Sequence, residues 1–273
     1  MIFFMSVASG TQKRVVEALN YPYVLVNFMT KCNNPPTCSK TLFVDSGGFP
    51  SSFLYNGYNR SDDEYLYFVK KSNAAYFALR DYPCEPQILK KYDVTAKDQI
   101  LRTVNHHIKL LDLIEDFDIS AKPVPVIQGW EIDDYLFCID IFREHGLIEN
   151  GFDYVAIGSL CRRHAIHQIR KIILTVRNEL RSSIKLHCFG TKISVLKDLA
   201  VWRAVYSVDS GAWDFDARWK RYRNQINKST FETSLILAKR YLDKIERLKK
   251  KFEGQKKLYD ILETEVGAGV NDI

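Results

Sequence analysis

Residues 41–49 read Thr-Leu-Phe-Val-Asp-Ser-Gly-Gly-Phe, and this stretch decides the fold class. Its first half is an apolar run without polar alternation, which is typical of a parallel strand that is covered on both faces. Its second half changes to a carboxylate and two glycines. In α/β barrels the carboxyl ends of such strands carry the functional groups. The stretch therefore predicts a buried parallel strand that ends at a site.

The same pattern recurs along the chain, where eight short runs rich in β-branched and aromatic residues alternate with longer stretches of helical period. The predicted strands are Ile2–Val7, Tyr23–Phe28, Thr41–Asp45, Tyr76–Asp81, Val124–Gln128, Tyr154–Gly158, Lys185–Phe189 and Val205–Asp209. Eight strands joined by helices predict an α/β fold of the (β/α)₈ TIM-barrel type. An open doubly wound sheet is the alternative.

Several helices are predicted from their first residues. Ser61-Asp-Asp-Glu64 has the form of a capping box for a helix that runs to about Lys71. A second helix is expected to begin at Thr95, and a third carries an apolar stripe of Ile166, Ile169, Ile173 and Val176. Ser229-Thr-Phe-Glu232 is expected to cap a long final helix. Residues 29–40 contain Asn-Asn-Pro-Pro and predict a helix-free excursion.

Two regions are expected along the chain. Residues 1–225 form the catalytic barrel, and residues 226–273 form an extra basic C-terminal helical segment packed on it, with a frayed tail from about Gly267. No linker, repeat or low-complexity tract divides them.

Composition restricts the class of protein further. The 273 residues are 46% hydrophobic and 26% charged, which suits a globular domain with a sizeable core. The net charge of +6 permits a polyanionic partner. No run of about 18 apolar residues predicts a membrane span, and the short apolar N-terminus lacks the basic region of a signal peptide. The six cysteines are scattered without a CxxC pair, which favours a reducing, cytoplasmic compartment.

Polar residues follow six of the predicted strands. The segments are Asp45-Ser-Gly-Gly-Phe49, Arg80-Asp81, Gln128-Gly129-Trp130, Gly158-Ser159-Leu160, Gly190-Thr191 and Asp209-Ser-Gly-Ala-Trp213. Each alone fits a helix cap or a turn, but together they indicate a site. Carboxylate and amide groups match the donor and acceptor edge of a purine, and an aromatic ring can stack on it. Two further carboxylates suit chemistry at a glycosidic carbon. The sequence thus predicts a site for a nucleobase.

Four of these segments resemble, in order, the motifs of the tRNA-guanine transglycosylase superfamily. They are Asp45-Ser-Gly-Gly-Phe49, Val126-Ile-Gln-Gly129, Ala156-Ile-Gly-Ser-Leu160 and Val208-Asp209, and the resemblance spans about residues 1–220. It implies base exchange: an aspartate displaces guanine from a nucleotide, and a 7-deazaguanine then attacks the covalent intermediate.

The resemblance also implies a role for each matching position. Asp209 corresponds to the nucleophile, Asp45 to the residue that carries the proton and helps to hold the base, and Asp81 to the carboxylate that reads the amino edge. The implied substrate contacts are completed by Ser46, Gly47, Gly48, the stacking ring of Phe49, Gln128, Gly129, and Gly158, Ser159 and Leu160 on the side of the 7-substituent.

One departure from the tRNA enzymes bears on the substrate. Those enzymes hold zinc with three cysteines and a histidine after the nucleophile, whereas this chain has no cysteine after Cys188 and no histidine after His187. We therefore expect no zinc subdomain and no metal or other cofactor. The variants Gly158-Ser-Leu-Cys-Arg-Arg163 and Val208-Asp-Ser-Gly-Ala-Trp213 are more similar to the DNA-acting branch. That branch implies DNA and a free 7-deazaguanine base as partners, in a prokaryotic or virus-infected cell, with tRNA left open.

Cations outside the strand ends predict contacts to nucleic acid. Arg162 and Arg163 open a predicted helix, where phosphate binding is favoured over a metal site built from Cys161, His164 and His167. A second cluster interleaves Arg218, Lys220, Arg221 and Arg223 with aromatic residues. The second cluster could equally be solvated surface.

The leading hypothesis is a pentosyltransferase that replaces guanine in DNA with a 7-deazaguanine such as 7-cyano-7-deazaguanine, after the target base is flipped out. A zinc-free tRNA enzyme, a catalytically silent nucleic-acid-binding barrel and a retaining glycoside hydrolase are the alternatives. The oligomeric state and the need for a protein that opens the duplex are left open.

Overall fold

The computed structural model describes residues 1–30, 34–148, 151–215 and 230–268, with side chains up to residue 254 of the last helix. The strands are β1 (Ile2–Val7), β2 (Tyr23–Asn27), β3 (Thr41–Asp45), β4 (Tyr76–Ala78), β5 (Lys122–Val124), β6 (Val126–Ile127), β7 (Tyr154–Ile157), β8 (Lys185–Cys188) and β9 (Ser207–Ser210). The helices are α1 (Gly10–Ala18), α2 (Gly48–Tyr55), α3 (Asp62–Lys71), α4 (Pro86–Tyr92), α5 (Ala96–Phe117), α6 (Ile132–Glu144), α7 (Ile166–Glu179), α8 (Leu199–Ala204) and α9 (Thr230–Ala268). None of the helices in these ranges has the length and apolarity needed to cross a membrane.

The strands form one parallel sheet in the order β5-β4-β3-β2-β1-β9-β8-β7-β6. Its two edges, β5 and β6, are consecutive in the chain and are separated by Pro125 alone. The Pro125 carbonyl accepts a hydrogen bond of 2.8 Å from the Ala156 amide. Because proline has no N–H to donate, the ladder breaks at this residue and one barrel strand becomes two segments. The sheet thereby curves into a nearly closed barrel, and the prediction of a TIM-barrel fold is confirmed.

The predicted strands match the observed ones to within one residue except at the fourth, fifth and last positions, where the last strand begins at Ser207, two residues later than predicted. The fourth strand ends at Ala78, three residues before Asp81, and the fifth begins at Lys122. The capping boxes of Ser61 with Glu64 and of Thr95 with Asp98 are both formed, so these helix starts are confirmed.

One predicted helix face is wrong at a single position. Ile166 is 47% exposed in the first turn of α7, and Ile172 is buried beside Ile169, Ile173 and Val176. These four positions share one face because they are spaced i, i+3, i+4 and i+7. Ser229 lies outside the described residues, and α9 is described from Thr230.

Side chains fill the barrel interior. Phe4 and Phe43 pack edge to face at 5.8 Å, within a cluster completed by Leu25, Ala78, Val124, Val126, Tyr154 and Ala156. A larger apolar layer lies between the strands and the helices. Because the interior is packed, a ligand can be held only at an end of the barrel.

The helix α9 packs against the outside of the barrel. Its buried residues Ala238, Ile245 and Phe252 recur at seven-residue intervals along one face. The ring of Tyr241 lies 5.5 Å from that of Phe3 on β1, and Phe252 lies 5.2 Å from Trp202 on α8. The helix therefore covers β1 next to α8.

Candidate active site

A cavity of about 230 Å³ lies at the carboxyl ends of the strands. Nine of the residues predicted from the sequence line it: Asp45, Gly48, Phe49, Asp81, Gln128, Gly158, Ser159, Arg162 and Asp209. The cavity is completed by Asn27, Pro50, Pro83, Glu85, Cys161, Phe189 and Gly190. Groups far apart in the chain thus meet because parallel strands end at the same edge of the barrel.

Asp209 is the next-to-last residue of β9 and is 6% exposed. Its Oδ2 accepts a hydrogen bond of 2.6 Å from the Ser6 hydroxyl, and its Oδ1 accepts one of 2.7 Å from the Gly190 amide. Gly190 can present its N–H because its φ of +60° lies in the left-handed region that favours glycine. These two donors fix the direction of the carboxylate, as required of a nucleophile that must be aligned with its target.

Asp45 ends β3 and pairs in register with Asn27 of β2. Its Oδ2 accepts a hydrogen bond of 2.5 Å from the Asn27 amide, and its Oδ1 accepts one from the Gly47 N–H. Burial, together with the charges of Asp81 and Asp209, raises the pKa of Asp45 to about 7. A carboxyl with this pKa can both hold and release a proton near neutral pH, which suits a proton carrier.

The raised pKa of Asp45 makes stability depend on pH. Because the folded pKa is about 7 and the ordinary value is 3.8, the folded state binds an extra proton in this window and loses stability as the pH rises through it. Asp45→Asn cannot ionise, so we expect its melting temperature to exceed that of the wild type by more at pH 8 than at pH 5. Asp63→Asn, an exposed control on α3, should change the melting temperature by the same amount at pH 5 and at pH 8. An equal change at the two pH values in Asp45→Asn would contradict the prediction.

Asp81 follows β4 and is held from several sides. Its Oδ1 accepts a hydrogen bond of 3.0 Å from Ser46, which is fully buried. The Tyr58 hydroxyl donates to the Asp81 carbonyl and accepts from the Asp81 N–H, at 2.9 and 3.0 Å. The Arg80 guanidinium lies 4.4 Å from the centre of the Tyr58 ring. Burial raises the pKa of the Asp81 carboxyl.

Gln128 connects Asp81 to the opposite wall of the cavity. Its Nε2 donates to Asp81 Oδ2, and its Oε1 accepts a hydrogen bond of 2.8 Å from the Ser159 hydroxyl. The side chain is 1% exposed. A Cβ added to Gly158 would lie 2.6 Å from Gln128 Cδ, closer than real Cβ atoms approach. Gly158 is therefore needed to leave room for the amide.

Five predicted residues are placed outside the cavity lining, among them Ser46 and Gly47, which donate to Asp81 and Asp45. Gly129 packs against Tyr135 of α6, and the Leu160 side chain is buried in the outer apolar layer. Arg163 is 4% exposed, donates to the carbonyls of Ser159 and Trp130, and lies over the Trp130 ring at 3.9 Å. The Arg163 guanidinium is thus engaged within the protein, and its contact with nucleic acid stays a prediction. Arg218, Lys220, Arg221 and Arg223 lie outside the described residues.

Several site residues were missed from the sequence. Asn27 and Ser6 each lie at or next to the end of a predicted strand, so the rule that found Asp45 could have found them. His187 lies inside the barrel with its Nε2 3.4 Å from Asp209 Oδ1 and its Nδ1 2.7 Å from Ser207 Oγ. Glu85 follows the fourth strand within Pro83-Cys-Glu-Pro86, where no periodicity marks it.

The rim of the cavity combines aromatic rings and cations. The rings of Phe49 and Phe53 stack at 5.9 Å with an angle of 8°. Arg162, which is exposed, lies 4.5 Å from the Phe49 ring, and Lys91 lies 4.7 Å from the Phe53 ring. These contacts place cationic groups beside an exposed aromatic surface at the mouth of the cavity.

Within the described ranges, no three His, Cys, Asp or Glu side chains converge on a site that could hold a metal ion. Cys38, Cys84, Cys138, Cys161 and Cys188 are free thiols. The expectation that the protein needs no zinc stays a prediction.

The barrel and its pocket define the class of protein: a TIM-barrel protein whose cavity gathers three aspartates and a buried amide. The chain belongs to the family DpdA, DeoxyPurine in DNA protein A, whose profile matches residues 25–262. This is the DNA 7-deazaguanine transglycosylase family, related to tRNA-guanine transglycosylase. No curated protein matches the chain. The resemblance predicted from the strand-end motifs is confirmed, and the family implies DNA as the substrate.

Proposed function

We propose that this protein exchanges guanine in DNA for a 7-deazaguanine through a covalent bond to Asp209. The observation that carries the proposal is the placement of this carboxylate, directed by Ser6 and Gly190, in the same cavity as Asp45, Asp81 and Gln128. Family membership supports guanine exchange in DNA in general terms.

The proposed chemistry has two displacements. Asp209 attacks C1′ of the deoxyguanosine, an O–C1′ bond forms, and the N9–C1′ bond breaks with its electron pair going to guanine, which takes up the proton of Asp45. The incoming 7-deazaguanine then gives its N9 proton to Asp45, and N9 attacks C1′ and releases Asp209. Two inversions retain the configuration at C1′.

Recognition of the base is proposed for the opposite wall. Asp81 accepts from the amino and ring N–H groups of a guanine-type edge, and Gln128 offers one amide N–H beyond the one it gives to Asp81. Gly158 and Ser159 face the 7-substituent, which we propose is a small group such as cyano. Phe49 stacks on the ring.

The DNA is proposed to approach over the end of α2. Phe53, Leu54 and Tyr55 are consecutive and 38%, 58% and 54% exposed, next to the rim cations Arg162 and Lys91. Aromatic rings beside cations suit unstacked bases and phosphates. The target nucleotide must leave the stack to reach the cavity, which costs a few kcal/mol in a duplex.

This surface can be tested by removing its exposed rings. Each stacked base contributes about 1–3 kcal/mol, so Phe53→Ala and Tyr55→Ala should each weaken binding of a single-stranded oligonucleotide about tenfold, measured by fluorescence anisotropy. Tyr67→Ala is the matched control, because Tyr67 is 62% exposed on α3 and belongs to no rim contact. Equal affinities for all three variants and the wild type would exclude the surface.

The proposed function is tested by incubating the protein with DNA and labelled 7-cyano-7-deazaguanine, digesting the DNA to nucleosides and weighing them. The label is expected in the deoxynucleoside fraction, with one guanine released for each label gained. A parallel reaction with tRNA separates the zinc-free tRNA enzyme from the DNA enzyme. Label in neither polymer, with folded protein, would rule out the exchange.

A further inference from the structure

Glu85 is a buried carboxyl in the cavity that the proposed mechanism does not use. It is 2% exposed and lines the same cavity as Asp81 and Gln128. It directly precedes α4 and follows Asp81 by four residues in the sequence. A carboxyl at such a position must be either neutral or paired, since burial of an isolated charge is costly.

The hydrogen bonds of the Ser159 hydroxyl decide whether Glu85 is neutral or ionised and paired. Ser159 Oγ lies 2.9 Å from the Cys84 nitrogen, 2.9 Å from Glu85 Oε2 and 2.8 Å from Gln128 Oε1. The Cys84 N–H donates to the hydroxyl. Two oxygens remain, and the hydroxyl has only one proton to give. If Ser159 donates to Gln128, Glu85 must itself carry a proton and donate it to Ser159.

One alternative arrangement also satisfies every group. The Gln128 amide turns over, Ser159 donates to an ionised Glu85, and the proton then lies on Asp81, which donates to Gln128 Oε1. The two arrangements differ in where a single proton lies, and they fix opposite orientations of the amide. Only the first leaves Asp81 an ionised acceptor for the amino and ring N–H groups of a guanine-type base.

The backbone supports a fixed direction for the Ser159 hydroxyl. Ser159 has a φ of +53°, in the left-handed region that a serine rarely adopts. Such a conformation persists where surrounding contacts hold it. The three contacts of the hydroxyl provide this constraint.

We propose that Glu85 is a positioning residue that holds the shared proton of the hydrogen bonds that link Glu85, Ser159, Gln128 and Asp81. Asp81 then stays ionised, and Gln128 keeps the orientation that a guanine-type base requires. The proposal rests on the proposed function and deepens it, because it makes base recognition depend on a residue outside the reacting groups.

The surroundings of Glu85 place its titration in a measurable range. Burial, together with the charge of Asp81, raises the pKa of Glu85 to about 7, against the lowering effects of the Ser159 hydroxyl, the Glu85 backbone N–H and the Arg163 cation. The other titratable groups that face it are Cys84 on its own connection, Tyr135 of α6 and Cys161 after β7. When the pH rises above the pKa of Glu85, this carboxyl ionises and no longer donates a hydrogen bond to Ser159.

The test measures the affinity for free guanine by calorimetry at about pH 6 and about pH 8, on either side of the pKa of about 7. Glu85→Gln keeps a neutral side chain whose NH₂ donates to Ser159 at every pH. Between these two pH values, we expect the guanine affinity of the wild type to fall about tenfold more than the guanine affinity of Glu85→Gln. Asp45 titrates in both proteins and cancels from the comparison. Glu85→Ala, which has no donor, should bind about tenfold more weakly than Glu85→Gln at both pH values.

Infrared spectroscopy gives a readout that does not need the base. The wild type minus Glu85→Gln difference spectrum should contain the C=O stretch of a protonated carboxyl at about pH 6 and lose it by about pH 8. Absence of that band, or a Glu85→Gln affinity that falls in step with the wild type, would overturn the proposal. If the band is present and no variant binds guanine, the proton is where we place it and the proposed function fails instead.

Discussion

Replacing Asp209 with asparagine should reduce base exchange by at least about 10⁴-fold, the scale seen when a covalent nucleophile is removed. Asparagine is nearly isosteric and keeps the contacts of this position: its oxygen can accept from the Gly190 N–H, and the Ser6 hydroxyl can accept from its NH₂. The loss should therefore affect the chemical step and leave the fold and the affinity for DNA nearly unchanged. Label incorporation into DNA measures the first, and thermal melting and anisotropy measure the others.

A second readout separates a nucleophile from a residue that only orders the pocket. Wild-type protein incubated with DNA and no incoming base should yield a protein–DNA adduct that survives denaturation and is visible by mass spectrometry. Asp209→Asn should yield none, while Asp63→Asn, an exposed aspartate on α3, should react like the wild type. An adduct of normal yield in Asp209→Asn would show that the covalent bond is made elsewhere.

The second large effect is expected from a single added methyl group. In Gly158→Ala the new Cβ would overlap the Gln128 amide, which is 1% exposed and has no solvent to move into. The amide must shift and give up its bonds to Asp81 and Ser159. Lost buried hydrogen bonds cost about 1–3 kcal/mol each, so the loss of these two should lower guanine affinity about 100-fold and stability by about 2–6 kcal/mol.

Gly10→Ala is the matched control, because a Cβ at this position, the first residue of α1, meets nothing within 4 Å. It should be neutral in both assays. The double variant Gly158→Ala with Gln128→Ala tests the cause. In the Gln128→Ala background, Gly158→Ala should cost no further stability, since the overlap is gone, and base affinity should stay low, since the amide is gone. A further loss of stability from Gly158→Ala in that background would place the clash in another part of the pocket.

Local chemistry made much of this protein readable from its sequence. The capping boxes at Ser61 and Thr95 involve residues three positions apart, so sequence spacing alone determines them. Strand runs are marked by continuous apolar residues, and the polar residue after each run lies at the barrel end where parallel strands meet. For this reason Asp45, Asp81, Gln128 and Asp209 could be predicted as one cluster before any distance was known.

The tertiary structure alone decided which side chains complete that cluster. Ser6 and Asp209 are 203 residues apart, and Glu85 and Ser159 are 74 apart. Periodicity records which face of an element is apolar, but it does not record which loop side chain turns inward. Arg163 shows the converse: its sequence neighbours suggested a phosphate contact, yet its guanidinium is buried against Trp130. The sequence thus determined the barrel and its carboxylates, and packing between distant loops determined their hydrogen-bond partners.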